Sequence, residues 1–111
     1  MSYNEYLKHI LDEADYIIRK SRNLEKNTFL KDETLKRAFV RSIEIIGEAV
    51  KRLPEDFRKK HNAVDWKAMA GTRDKLIHDY FGIDYEIVWD IVVDEIPELR
   101  KQIKKILKDK S

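Results

Sequence analysis

Apolar residues recur at helical spacing from one end of this chain to the other, and that periodicity leaves little room for any fold but a helical one. Tyr3, Tyr6, Leu7, Ile10, Leu11, Ala14, Ile17 and Ile18 keep the i, i+3, i+4, i+7 pattern of a half-buried helix. The spacing predicts a first helix over 3–23. Residues 23–28 read as a connector containing neither Pro nor Gly. A second helix is predicted over 32–53, with Leu35, Ala38, Phe39, Ser42, Ile45, Ile46, Ala49, Val50 and Leu53 as its main stripe and Pro54 as its stop. Val40, Ile43, Gly47 and Val50 form a second apolar strip beside the first. A face that wide predicts contact with more than one neighbour, a second chain among the candidates.

Residues 55–61 read as a short helical turn. Asp65 is a favourable N-cap for a helix over 66–80, with Gly71 a point where it bends or sheds its first turn and Gly82 its stop. Asp84 caps the next helix. There Ile87, Val88, Trp89, Ile91, Val92 and Val93 are apolar nearly all round, so this helix is expected to be the most buried. Pro97 predicts a fresh start or a kink before a last helix with the stripe Ile96, Leu99, Ile103, Ile106 and Leu107. Four main helices plus short helical turns, joined by short connections, predict an all-α antiparallel bundle. The 111 residues suffice for one domain, expected to span 1–111, and the 42% hydrophobic content suffices for its core.

One residue violates the pattern. The helix over 66–80 reads Trp66, Met69, Ala70, Arg73, Leu76, Ile77, Tyr80 and Phe81 along one face, so Arg73 stands where a Leu is expected. A guanidinium keeps its proton and must find anions or acceptors. It is either paired internally, with Glu44 or Glu48 as candidate partners, or it lines a site for an anionic ligand. His78 stands five residues on, roughly 140° away around the axis, so the two do not share a face of a straight helix. Asp74 lies one turn before His78, where a carboxylate can orient the imidazole. Tyr80 returns to the Arg73 side. If Arg73 and His78 serve one phosphate, the helix is distorted or a second chain completes the site.

Charge and composition narrow the function. Charged residues make up 40% of the chain but leave a net charge of only +2, so no strongly basic surface is implied. The chain has no Cys, hence no disulfide and no thiolate metal site. Its three His residues are scattered, with no paired ligand spacing and no Gly-rich phosphate loop, so neither a metal nor another cofactor is expected. No signal peptide is evident, and no apolar run approaches the about 18 residues of a membrane span. The expectation is a soluble cytoplasmic protein.

Arg73-Asp74-x3-His78-x-Tyr80 on the third helix of a small bundle resembles the Arg-polar-x3-His motif of HEPN domains. Three stretches in order are similar to the HepT-like toxins: Ser42-Ile43-Glu44-Ile45-Ile46-Gly47-Glu48-Ala49, then Trp66-Lys67-Ala68-Met69-Ala70-Gly71-Thr72-Arg73 with the motif, then Asp79-Tyr80-Phe81-Gly82-Ile83-Asp84-x3-Val88-Trp89. Relatives often carry Asn after the Arg, where this chain has Asp74. The resemblance implies a metal-independent ribonuclease acting as a homodimer, the two motifs facing each other in a cleft. It also implies a toxin–antitoxin pair in which a minimal nucleotidyltransferase antitoxin transfers AMP to Tyr80.

The chemistry of these residue types agrees with that implication. Metal-free RNA cleavage uses the 2′-OH as internal nucleophile and needs a proton acceptor, a proton donor and a cation at the phosphate. His78 fits acid/base transfer near neutral pH. Arg73 fits bidentate stabilisation of phosphate oxygens. A 2′-OH requirement excludes DNA as substrate. Asp74 is expected in a supporting role, as is Glu48. Outside such a role, Glu44 and Glu48 are expected to pair with Lys51 or Arg52. Trp66 and Trp89 fit the core; His9 and His61 read as surface residues. The alternative is a non-catalytic helical module that binds a nucleotide or docks a nucleotidyltransferase.

Overall fold

Helical spacing becomes helices almost throughout the computed structural model, which describes residues 3–78 and 82–109, and for residues 73–78 the backbone only. In chain order these are α1 (Tyr3–Ser21), α2 (Lys26–Lys31), α3 (Glu33–Arg52), α4 (Glu55–Lys60), α5 (Trp66–His78) and α6 (Tyr85–Asp90). A π-helical turn (Ile91–Glu95) then leads without a break into α7 (Ile96–Asp109). No strand occurs among the described residues. Packing follows the apolar stripes. α3 lies against both α1 and α5, and α1 lies against α7. The all-α bundle expected from the sequence is therefore observed.

The core is assembled from the faces the periodicity selected. Leu7, Ile10 and Ile17 of α1, Phe39, Ile46 and Val50 of α3, and Ile96 and Ile103 beside them are fully or almost fully buried. Each such side chain contributes roughly 1.5–3 kcal/mol relative to an exposed one. The second strip of α3 is buried too: Val40, Ile43, Gly47 and Val50 are all covered within this chain. The width of that face is explained by the two neighbours α1 and α5, so it does not by itself call for a second chain.

Capping sets the boundaries. Asp32 accepts a hydrogen bond from the Leu35 N–H at 3.0 Å to start α3, and Pro54 follows its end. Asp84 accepts from the N–H groups of Glu86 and Ile87 at 3.0 and 3.4 Å to start α6. These carboxylates satisfy first-turn donors that have no partner within the helix.

Two expectations are corrected. The connector over 23–28 is shorter than expected: α1 stops at Ser21, Asn23 takes a left-handed φ of 58°, and α2 begins at Lys26. Asn tolerates this conformation better than most residues. A six-residue helix carries too little periodicity to stand out, and α2 forms because Phe29 is buried between α3 and α6. Second, the α6 region is not the most buried element. Val88, Ile91 and Val92 are covered, but Ile87 and Val93 are each 41% exposed. At Pro97, where a fresh start or a kink was expected, α7 begins one residue earlier, directly after the π turn and with no loop between them. The proline ring would collide with the carbonyl four residues earlier and it has no N–H to donate. The preceding π turn, where the Ile96 N–H reaches the Ile91 carbonyl, widens the helix at that point and lets it continue.

Candidate active site

The motif helix is anchored at its start. Asp65 accepts from the Ala68 N–H at 3.0 Å, as expected of its N-cap. Trp66 is buried and its indole N–H donates to the His61 carbonyl at 2.9 Å. Phe57 of α4 lies between, with its ring 6.2 Å from Trp66 and 4.6 Å from His61. His61 is thus half-buried against an aromatic ring and is not the surface residue expected, whereas His9 is exposed. Met69 is buried and Lys67 exposed, which fixes the rotation of α5. Gly71 is exposed and does not split the helix, and the Thr72 hydroxyl donates to the Ala68 carbonyl at 2.9 Å.

From this anchor α5 runs without interruption to His78. Position 73 follows Trp66, Met69 and Ala70 in helical register. His78 is five residues on, so the roughly 140° offset of a regular helix is retained. Arg73, Asp74 and His78 are placed by backbone only; Tyr80 lies outside the described residues. Gly82 has a φ of +150°, a conformation that favours glycine, in the return from α5 to α6.

Glu48 stands on α3, the helix packed against α5. Its carboxylate accepts from the Arg52 Nε at 3.3 Å, the i, i+4 pair anticipated for it. The nearby Tyr6 hydroxyl, followed by Glu48, raises the Arg52 guanidinium pKa above its ordinary value. Glu44 pairs backwards, with Arg41 at 3.9 Å, and not with Lys51 or Arg52 as expected. Trp66 and the half-buried Trp89 both pack on aromatic neighbours, in keeping with core roles.

A cleft of 270 Å³ opens beside the start of α5. Asp65, Asp94, Glu95 and Glu98 line it together with Ala68 and Met69 of α5. Partial desolvation in the cleft wall, then the nearby Asp65 and Asp94 charges, pushes the carboxyl of the surface residue Glu95 above the usual carboxylate range. Four carboxylates repel an anionic substrate, so phosphate chemistry does not belong in this cleft. Among the described residues no group of three or more His, Asp or Glu is arranged to hold a metal ion. Among the same residues no helix is long and apolar enough to cross a membrane.

No solved structure matches this chain. Its sequence relatives are informative. "Putative RNase TTE0752" of Caldanaerobacter subterraneus subsp. tengcongensis is 57% identical over 102 residues, covering 92% of this chain and 91% of the relative. "Probable ribonuclease HepT" of Thermococcus cleftensis is 39% identical over 107 residues, covering 96% of this chain and 97% of the relative. The sequence model of the family described as "Ribonuclease HepT-like" matches residues 9–106. With its helical fold and an Arg-x4-His motif on α5, the chain belongs to the HepT-like ribonuclease family.

Proposed function

We propose that this protein is the toxin of a type II toxin–antitoxin pair, an endoribonuclease that cleaves RNA without metal through attack of the 2′-OH. The observation that carries the proposal is the unbroken α5, which bears Arg73 and His78 at a five-residue spacing in a chain of this ribonuclease family. In the reaction the 2′-oxygen bonds to phosphorus as the P–O5′ bond breaks. One proton leaves the 2′-OH and another is delivered to the departing 5′-oxygen. His78 serves these transfers as acid and base. Arg73 stabilises the charge that grows on the phosphate oxygens. Asp74, one turn before His78, orients its imidazole, and Glu48 supports the site from α3.

A regular helix sets Arg73 and His78 on different faces, so the proposed active form is a symmetric dimer in which the two motifs share one cleft. Two copies then supply both proton roles. A minimal nucleotidyltransferase acts as antitoxin by transferring AMP to Tyr80, and the added anion and adenosine occupy the place of an RNA nucleotide.

The test is cleavage of a defined RNA by wild type and His78→Ala, with helicity checked by circular dichroism. The variant is expected to lose roughly 10²–10⁴-fold in rate with its fold intact, and wild-type cleavage is expected to persist in EDTA. Undiminished cleavage by the variant, or abolition by EDTA, refutes the mechanism. Sedimentation showing a monomer under conditions where cleavage proceeds refutes the shared cleft.

A further inference from the structure

A second cleft, of 450 Å³, lies between the last turns of α1 and the first turns of α7, and its charge is opposite to that beside α5. Arg19, Arg22, Arg100 and Lys101 line it against a single carboxylate, Asp15. Four cations and one anion give a local charge of +3, where the whole chain carries +2. The cleft thus concentrates positive charge that the nearly neutral sum of the chain conceals, and it can attract a polyanion. We propose that it binds the phosphate backbone of RNA and holds the substrate strand at a site separate from the motif helix. The proposal rests on the ribonuclease reading above and adds where the strand is held.

Three features support it. The cations are largely unneutralised. Arg100 is engaged by Asp15, but Arg22 and Lys101 form no ion pair among the described residues. Arg19 lies 5.7 Å from the Tyr16 ring, a contact that steadies its guanidinium without neutralising it. Second, helix-end electrostatics accounts for only half of the cluster. Arg19 and Arg22 sit at the C-terminal end of α1, where cations are favoured anyway. Arg100 and Lys101 lie inside helical backbone that continues from α6 through the π turn, away from its end. Third, the helix sorts charge by face. Asp94, Glu95 and Glu98 turn toward the α5 cleft, while Arg100 and Lys101 turn toward α1. Three of the four cations are Arg, whose planar fork suits phosphate oxygens.

The test uses the full-length chain and a 20-nucleotide 2′-O-methylated RNA, which cannot undergo 2′-OH attack, with binding followed by fluorescence anisotropy against salt. Arg22→Gln/Lys101→Gln removes two exposed cations. Removing one cation that neutralises a phosphate lowers the slope of log K against log salt by about 0.7, or about 5-fold in affinity at 0.1 M relative to 1 M salt. The double variant is expected to bind about 25-fold more weakly at 0.1 M salt with a slope shallower by about 1.4. Lys8→Gln/Lys31→Gln removes the same charge from exposed positions outside the cleft and is expected to bind as wild type. Equal weakening in both double variants overturns the proposal in favour of diffuse attraction. Unchanged binding in Arg22→Gln/Lys101→Gln overturns it too, including the case in which the cleft receives an acidic protein. If wild type cleaves no RNA at all, the proposed reaction fails while this binding comparison still decides the cleft.

Discussion

Phe29 is the residue on which the short helix α2 depends, and its replacement gives a sharp test of the packing. Its ring is fully buried, stacked on Phe39 at 5.5 Å and lying 5.2 Å from Trp89. Phe39 in turn meets Tyr16 edge-on at 6.5 Å, so one aromatic cluster links α1, α2, α3 and α6. Phe29→Ala removes the ring and leaves a cavity, which costs roughly 3–5 kcal/mol. Two aromatic pairs, each worth roughly 0.5–1.5 kcal/mol beyond area, place the expected value toward the upper end. A domain of this size has about 5–15 kcal/mol in total. Its unfolding entropy of about 2.1 cal/mol/K per residue converts each kcal/mol into about 4 °C. The midpoint should therefore fall by about 12–20 °C, read by circular dichroism at 222 nm. Phe29→Leu, which keeps most of the apolar volume, should lose less than half as much. A fall below roughly 5 °C for Phe29→Ala would show that α2 is not docked and that the ring is not a core element.

Three further outcomes are expected. Arg73→Lys keeps the charge but loses the planar fork, so RNA cleavage should be strongly impaired with helicity unchanged; wild-type rates would reduce Arg73 to a diffuse charge or a structural ion pair. Co-expression with a minimal nucleotidyltransferase should add AMP masses that disappear in Tyr80→Phe; additions that persist in that variant would exclude Tyr80 as the acceptor. Glu95 has a folded pKa raised above its ordinary 4.5, so the folded state holds its proton to higher pH than the unfolded chain. Stability from this group is therefore full below the unfolded pKa and declines as pH rises through the folded one. Glu95→Gln should unfold at higher temperature than wild type at pH 7, with the advantage gone well below pH 4.5; the same difference at both pH values would refute the linkage.

Periodicity alone determined that the chain is helical, and it determined most of the core, because a 3.6-residue repeat and a buried stripe are the same fact seen in sequence and in space. Leu7, Ile10, Phe39, Ile46 and Ile103 were legible in this way. So were the caps Asp65 and Asp84, since an N-cap is decided by residues within one turn. The odd Arg73 and its spacing to His78 were equally visible. Tertiary structure decided what depends on neighbours distant in sequence. It turned 26–31 into a helix by burying Phe29, and it left Ile87 and Val93 exposed because the core lies on only one side of α6 and the π turn. It carried the last helix through Pro97 by a π turn, a solution that depends on backbone geometry and has no residue signature here. The two clefts of opposite charge also arise only from packing. An almost neutral sum hides where charges lie, and only the placement of α7 between α1 and the start of α5 separates Arg100 and Lys101 from Asp94, Glu95 and Glu98.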